Sequence, residues 1–271
     1  MKVLQNFPHL EVLSLDFTKV SNIGLKELKP HTNLKSLKLS WTRVSNAGLK
    51  ELQHLQKLET LGLSKTGVTG AGLKDLNAFV KLRELNFGYH SINGDSLKHL
   101  KELKSLERLA LYPLFDDHVK TLREMKKIHV LGVASGHNKI LHSDEEVLTL
   151  RLHRQHVTDA GLLEFRDLKN LQELHLYYTR IGDAGLKVVH HFPDLRKLYL
   201  NPNITDAGLK ELTGLKKLEV LTLSEAEVTD AGLKELHGLQ SLRFLSLYKT
   251  KVTDAGVAAL QKALPKLEIK R

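Results

Sequence analysis

Three short segments hold the side chains best suited to recognition chemistry: RLHR at 151–154, HLYY at 175–178 and KLY at 197–199. Arg151, Arg154 and Lys197 offer fixed positive charge and several N–H donors to a carboxylate. Tyr177, Tyr178 and Tyr199 add large rigid faces with a hydroxyl, and tyrosine and arginine dominate binding hot spots. His153 and His175 add a proton that moves near neutral pH. Catalysis would need a nucleophile, a base and an orienting group. No Ser/His/Asp set rises above the background, and neither a Gly-rich phosphate loop nor a His-Glu-x-x-His run is present. Glu173 is the one carboxylate at a matching place; a pair with His153 is an acid–base candidate or, more simply, a surface ion pair. The expectation is a binding protein, not an enzyme, with no catalytic, cofactor-binding or metal residues assigned.

A repeat positions these residues. VTDAGLKEL at 228–236 appears again as ITDAGLKEL at 204–212, and near-copies recur along the chain. Aligned on this motif, units begin at Leu10, Leu34, Leu58, Leu82, Leu106, Ile128, Val147, Leu171, Leu195, Leu218 and Leu242, with a partial unit at Leu267. Most spacings are 24 residues. Apolar residues at the first, fourth and sixth places predict a short strand with leucines facing inward. Thr158, Thr205, Thr229, Thr253, Ser21 and Ser45 then read as helix N-caps. Asp159, Asp206, Asp230 and Asp254 follow where the helix dipole favours a carboxylate. Ala231, Leu233 and Leu236 give the helix an apolar stripe, and Gly232 permits close packing at some cost in helix stability. A helix of about two turns cannot stand alone, so stacking of successive units must bury its face.

This pattern resembles the leucine-rich repeat family over nearly the whole chain, in the TDAGL form common in bacterial repeat proteins and close to the repeats of F-box-type adaptors. The resemblance implies an α/β fold: a right-handed solenoid of about eleven repeats, with a parallel sheet on the concave face and short helices on the convex face. Residues 1–271 read as one solenoid domain, regular at 10–111 and 147–266 and irregular at 112–146. The family's usual ninth-place asparagine is mostly threonine here (Thr18, Thr42, Thr66, Thr179, Thr250), whose hydroxyl is expected to bond the neighbouring turn; His90, Gln155 and Ala226 break even that pattern.

In such a horseshoe the third, fifth, seventh and eighth places face the concave side. The repeats at 58 and 128 are nearly blank there, with Gly62, Ser64, Gly132 and Ala134. The repeats at 147, 171 and 195 instead present the aromatic-basic set. Same-place neighbours lie about 4.8 Å apart, so Arg151, His175 and Tyr199 should form one column and His153, Tyr177 and Asn201 another. Phe244 and Tyr248 extend the set. The partner-binding residues expected are therefore Arg151, His153, Arg154, His175, Tyr177, Tyr178, Lys197, Tyr199, Phe244 and Tyr248; cross-strand stacking alone would also favour such residues. Phe17, Trp41, Tyr89 and Tyr112 form a thinner group, in which Trp41 could instead cover the core's open end.

Within 112–146, Asp116 is expected to cap a helix through Met125, and Ile128, Leu131 and Val133 to make a strand. ASGHNKILHSDEE has no TDAGL helix, so a loop should replace it, as a hinge, a binding loop or a decayed repeat. His137, His142, Asp144, Glu145 and Glu146 suit zinc by type, but nothing fixes their geometry, and a solvated loop is the simpler reading.

Of the 271 residues 41% are hydrophobic, enough for a sizeable core, and the formal net charge is +10. It is spread: 17 basic against 10 acidic residues in 1–111, 5 against 6 in 112–146 and 19 against 15 in 147–271. Such a balance favours acidic partners. The absence of cysteine excludes disulfides, thiol catalysis and cysteine-ligated metals and leans towards an intracellular, cytoplasmic setting. No 18-residue apolar run or signal-peptide stretch is present, so membrane insertion is not expected. The opening LQNFPHL matches VHHFPDL and LQKALPKL, the tail of a repeat, so the expectation is that Met1 opens a fragment of something longer.

The leading functional reading is a non-enzymatic protein-interaction scaffold that seats an acidic or aromatic segment of a protein partner on the concave face. The alternatives are the substrate-recognition part of a larger enzyme, a ubiquitin-ligase-like adaptor, and a nucleic-acid binder. Against the last, no nucleic-acid module is present and glutamates interleave the helix lysines. The edges at Leu10 and Ile269 leave self-association through the solenoid ends open.

Overall fold

The computed structural model describes residue 4 and residues 6–89, 92–136 and 139–271; His90 and His137 lie outside them. The chain forms two compact units. One comprises Met1–Pro113 with Lys120–Gly132, the other Leu114–Val119 with Val133–Arg271.

The first unit holds a parallel five-stranded sheet of β1 (Val12–Ser14), β2 (Ser36–Lys38), β3 (Thr60–Gly62), β4 (Glu84–Asn86) and β5 (Arg108–Ala110), in sequence order. The second holds seven strands: β6 (Ala134–Ser135), β7 (Thr149–Arg151), β8 (Glu173–His175), β9 (Lys197–Tyr199), β10 (Val220–Thr222), β11 (Phe244–Ser246) and β12 (Glu268–Lys270). Each strand from β7 to β11 pairs parallel with the next, in a register that aligns equal places of the repeat. The strands cover the third to fifth places. First-, fourth- and sixth-place leucines such as Leu34, Leu37 and Leu39, or Leu195, Leu198 and Leu200, are fully buried.

Several helical segments are tighter than a two-turn α-helix, although Asp116–Glu124 and Asp254–Ala263 are full α-helices. Asp206–Leu209 and Asp230–Leu233 are single α-turns that run into 3₁₀ turns at Lys210–Leu212 and Lys234–Leu236, while Gly70–Ala78 and Asp183–His191 are 3₁₀ throughout. The cap residues also work differently from the expectation. Thr205, Thr229 and Thr253 accept from their own helices, but Ser21, Ser45 and Thr158 make no side-chain cap. Instead the first-turn carboxylate of one repeat reaches the cap of the next. Asp116 accepts the Thr158 N–H and hydroxyl, and Asp183 those of Thr205. Asn22 and Asn46 make the equivalent link with their amides, each accepting the N–H of Ser45 or Thr69 and donating Nδ2–H to its hydroxyl oxygen. The Asp116 side chain is thus committed to Thr158, and its helix spans Asp116–Glu124.

The ninth-place threonines close their own turns. Thr18, Thr42, Thr66, Thr179 and Thr250 each donate the hydroxyl to the carbonyl three residues back, at 2.6–2.9 Å, and Thr179 Oγ1 also accepts from Asn201 Nδ2 of the next repeat at 2.7 Å. Gln155 also spans repeats, accepting from Leu114 N–H at 2.8 Å.

The irregular centre departs from its expected strand. Ile128–Val130 is a 3₁₀ turn, and Leu131 makes a single parallel bridge with Leu109. The strand falls at β6, antiparallel to β7. Without a TDAGL helix to carry the chain across the layer, a parallel crossover has no connection, and a tighter return pairs antiparallel. Loop and 3₁₀ turn (Asp144–Glu146) occupy the place of the missing helix.

Candidate functional site

The β7–β9 register sets Arg151 beside His175 and His175 beside Tyr199, with Thr149, Glu173 and Lys197 in the neighbouring row. Alternate residues of a strand share a face, so Glu173 and His175 project together. His175 Nε2 lies 2.5 Å from Glu173 Oε1. The His175 ring stacks on Tyr199, with centroids 4.1 Å apart and planes 10° apart, and Tyr177 tilts against Tyr199 at 6.0 Å. Arg151 Nη2 stands 3.6 Å from Glu173 Oε1 and Lys197 Nζ 3.7 Å from Oε2. Arg151 also donates to Ser135 Oγ at 3.2 Å. Glu173 is therefore the centre of the cluster, paired with His175 rather than His153. The signal for this lay in the sequence, since Glu173 and His175 are two apart on one strand.

Burial holds His175 below the ordinary histidine range; Glu173 pulls the other way, and Arg151 and Lys197 add to the lowering. At neutral pH the ring is uncharged and donates Nε2–H to the carboxylate. Burial alone would raise Glu173, but the His175 hydrogen bond and the charges around it, Lys197 and Arg151 included, hold it below the usual carboxylate value. Burial also raises the Tyr177 and Tyr199 phenols, so both stay protonated.

His153, Arg154 and Tyr178 form a second group. Tyr178 is 60% exposed, meets His153 edge-on at 5.6 Å, and has the Arg154 guanidinium over its ring at 5.8 Å. Arg154 and Tyr178 have φ of 56° and 54°, a left-handed conformation costing about 1–2 kcal/mol in a non-glycine residue. Phe17, Trp41, Lys65, Tyr89, Glu225 and Lys249 share it at the same place. This strain therefore belongs to the repeat. It persists because the turn lets that residue's N–H reach the next repeat's carbonyl, as Arg154 N–H reaches Tyr177 O at 3.1 Å.

One expectation changes. Asn201 leaves the surface column: it is 1% exposed, and its amide bonds Thr179 and the Ile181 carbonyl. Its repeat is one residue shorter, which turns this side chain inward. Phe244, half-buried, and Tyr248, exposed, lie two strands beyond β9, and among the described residues no ring contact joins them to the cluster. Lys249 Nζ covers Tyr248 at 5.1 Å. In the acidic loop, Lys139 pairs with Glu146 at 3.2 Å, and the described residues contain no group of three metal-ligating side chains.

A family model described as a leucine-rich repeat region matches residues 1–156. The chain belongs to the leucine-rich repeat family. A second model, described as a leucine rich repeat, matches residues 167–189. Leucine-rich repeat proteins are typically non-enzymatic interaction modules. No curated protein matches the chain. Among solved structures, an internalin (InlF) from Listeria monocytogenes str. 4b F2365 is similar at 22% identity and a TM-score of 0.57, covering 100% of this chain and 69% of that one. That likeness extends to the leucine-rich repeat fold. Internalin C2 (InlC2) of the same strain matches at 19% identity over 86% and 84% of the two chains, TM-score 0.44. The plant peptide hormone receptor RGFR1, solved in complex with RGF2, matches at 17% over 99% and 44%, TM-score 0.46. Among the described residues, no helix is long and apolar enough to cross a membrane.

Proposed function

We propose that this leucine-rich repeat protein is a non-enzymatic scaffold that binds a protein partner on the face of its seven-stranded sheet. Arg151, His153, Arg154, His175, Tyr177, Tyr178, Lys197 and Tyr199 carry the contact, with Phe244 and Tyr248 at its far margin. The partner presents an acidic or aromatic segment. The observation that carries this reading is the Glu173 node. One carboxylate faces Arg151, Lys197 and His175 at once, so cationic capacity exceeds what it neutralises, and Arg154 adds more beside an exposed tyrosine. Arg151 and Lys197 are themselves exposed and stand 3.6 and 3.7 Å from Glu173, so an incoming carboxylate can reach both cations. Tyr178 and Tyr199 supply aromatic area beside the charges. A binding role also fits His175 and Glu173, whose neutral ring and ionised carboxylate lack a nucleophile to activate.

Crosslinking capture from native lysate, comparing wild type with the Arg154→Glu/Tyr177→Ala/Tyr178→Ala variant, tests the reading. A partner should be retained by the wild type and lost by the folded variant. Identical captured sets would remove the patch from the account.

A further inference from the structure

The places that read as blank in the sequence create a recess in the first unit. Its volume is about 370 Å³, within the range of ligand-binding clefts. Lys38, Gly62, Asn86 and Ala110 sit side by side across β2–β5, with Thr60, Glu84 and Arg108 in the adjoining row. Asp16, Ser40 and Gly132 also line it, together with Leu61, Leu85 and Leu109.

The fold does not require Gly62 and Gly132 to be glycine. Neither has positive φ. A Cβ on Gly62 would meet only ordinary contacts at 3.4 Å and beyond, and one on Gly132 only the Leu109 carbonyl oxygen at 3.8 Å. Gly48 and Gly72 differ, since a Cβ there would collide with Asn22 and Asn46. The open volume at 62 and 132 is thus not a by-product of packing.

The charges around the recess are unevenly satisfied. Asp16 accepts Ser40 N–H at 2.6 Å, and Glu84 pairs with Arg108 at 3.4 Å. Lys38 has no ion pair among the described residues. Three residues beyond Lys38, Gly62 and Asn86 come Trp41, Lys65 and Tyr89. Lys65, which has no carboxylate partner among the described residues either, is held 5.7 Å from the Trp41 ring and 5.1 Å from the Tyr89 ring. The lining runs from the repeat of β1 past β5. That is roughly 24 Å at strand spacing, or about seven residues of extended chain.

We propose that this recess is a second binding site, separate from the β7–β9 patch, which receives an extended acidic segment of a partner polypeptide. Its backbone lies over Gly62 and Ala110, and its carboxylates engage Lys38 and Lys65, with Arg108 able to turn from Glu84 to a third.

The test is a displayed random heptapeptide library panned on the whole chain, with counter-selection on Gly62→Leu. Gly62→Leu fills the recess and should melt as the wild type does; Lys38→Glu, an exposed reversal, serves as the second variant. The expected result is enriched peptides with two or more acidic residues, whose affinity falls at least tenfold in either variant. Arg154→Glu/Tyr178→Ala should leave their affinity unchanged, which separates this site from the patch. Enrichment of non-acidic peptides, binding insensitive to both variants, or no enrichment would each overturn the proposal.

Discussion

Asp206 and Thr229 are 23 residues apart, yet one carboxylate binds both polar groups of that threonine: Oδ1 accepts the Thr229 N–H at 2.8 Å and Oδ2 its hydroxyl at 2.6 Å. Asp230 treats Thr253 in the same way, and those bonds hold the Asp230 carboxyl below its usual range. Gly232 completes the arrangement, because a Cβ there would collide with Asp206 Oδ1. The recurring T-D-A-G is therefore a joint between repeats, with Asp of one unit gripping Thr and fitting against Gly of the next.

Gly232→Ala should destabilise the second unit, although alanine gains about 1 kcal/mol of helix propensity over glycine. Asp206→Ala should cost about 2 kcal/mol, as expected for hydrogen bonds to a charged group. Removing the carboxylate also removes the clash, so the double variant should lose less than the sum. Urea unfolding of all four proteins measures this, and strict additivity would refute the joint.

Buried His31 tests the core of the first unit. It is 1% exposed, and among the described residues neither ring nitrogen has a hydrogen-bond partner. Leu55 and Phe79, at the same place in the next two repeats, are fully buried apolar residues. His31→Leu should raise stability by about 1–2 kcal/mol by removing an unsatisfied polar ring. An unchanged or lower midpoint in urea would show that the ring has an unseen partner.

The strand–helix period was legible because leucine at the first, fourth and sixth places has one stable solution, burial between stacked units. The tyrosines and arginines were legible because a solvated strand does not need them. Three things were hidden. The Asp–Thr joint uses residues that also suit an isolated N-cap, so only geometry shows that Thr158 serves Asp116. Asn201 needed the one-residue shortening of its repeat translated into a side chain turning inward, and the recess was hidden because glycine reads as an absence.

Acid should weaken the second unit through His175 and Glu173. The folded His175 pKa lies below the ordinary value of 6.5. Above that value both states are neutral and nothing is contributed; as pH falls through it, the unfolded chain takes the proton first and stability drops. Glu173 lies below 4.5 in the fold, so its contribution is full above 4.5 and is lost as pH falls through the folded value. Thermal melts from about pH 7.5 down to about pH 2.5 should show both phases. His175→Gln should remove the one that begins near 6.5; an unaltered profile would mean the ring is not held neutral.

Glu173→Gln should strengthen binding of an acidic partner several-fold, because Arg151 and Lys197 then have no internal carboxylate to leave. It should also steepen the loss of affinity with salt, since more charge is exposed to screening. Titrations at two ionic strengths read both effects. Weaker binding would mean that Glu173 itself contacts the partner.

The most direct measurement is calorimetric titration of the captured partner against wild type and against the Arg154→Glu/Tyr178→Ala variant. Both altered side chains are exposed, so the variant should keep its melting temperature. The account predicts at least a 30-fold rise in Kd, in line with the loss of two hot-spot residues. An unchanged Kd in a folded variant would contradict it and move the contact off the β7–β9 face.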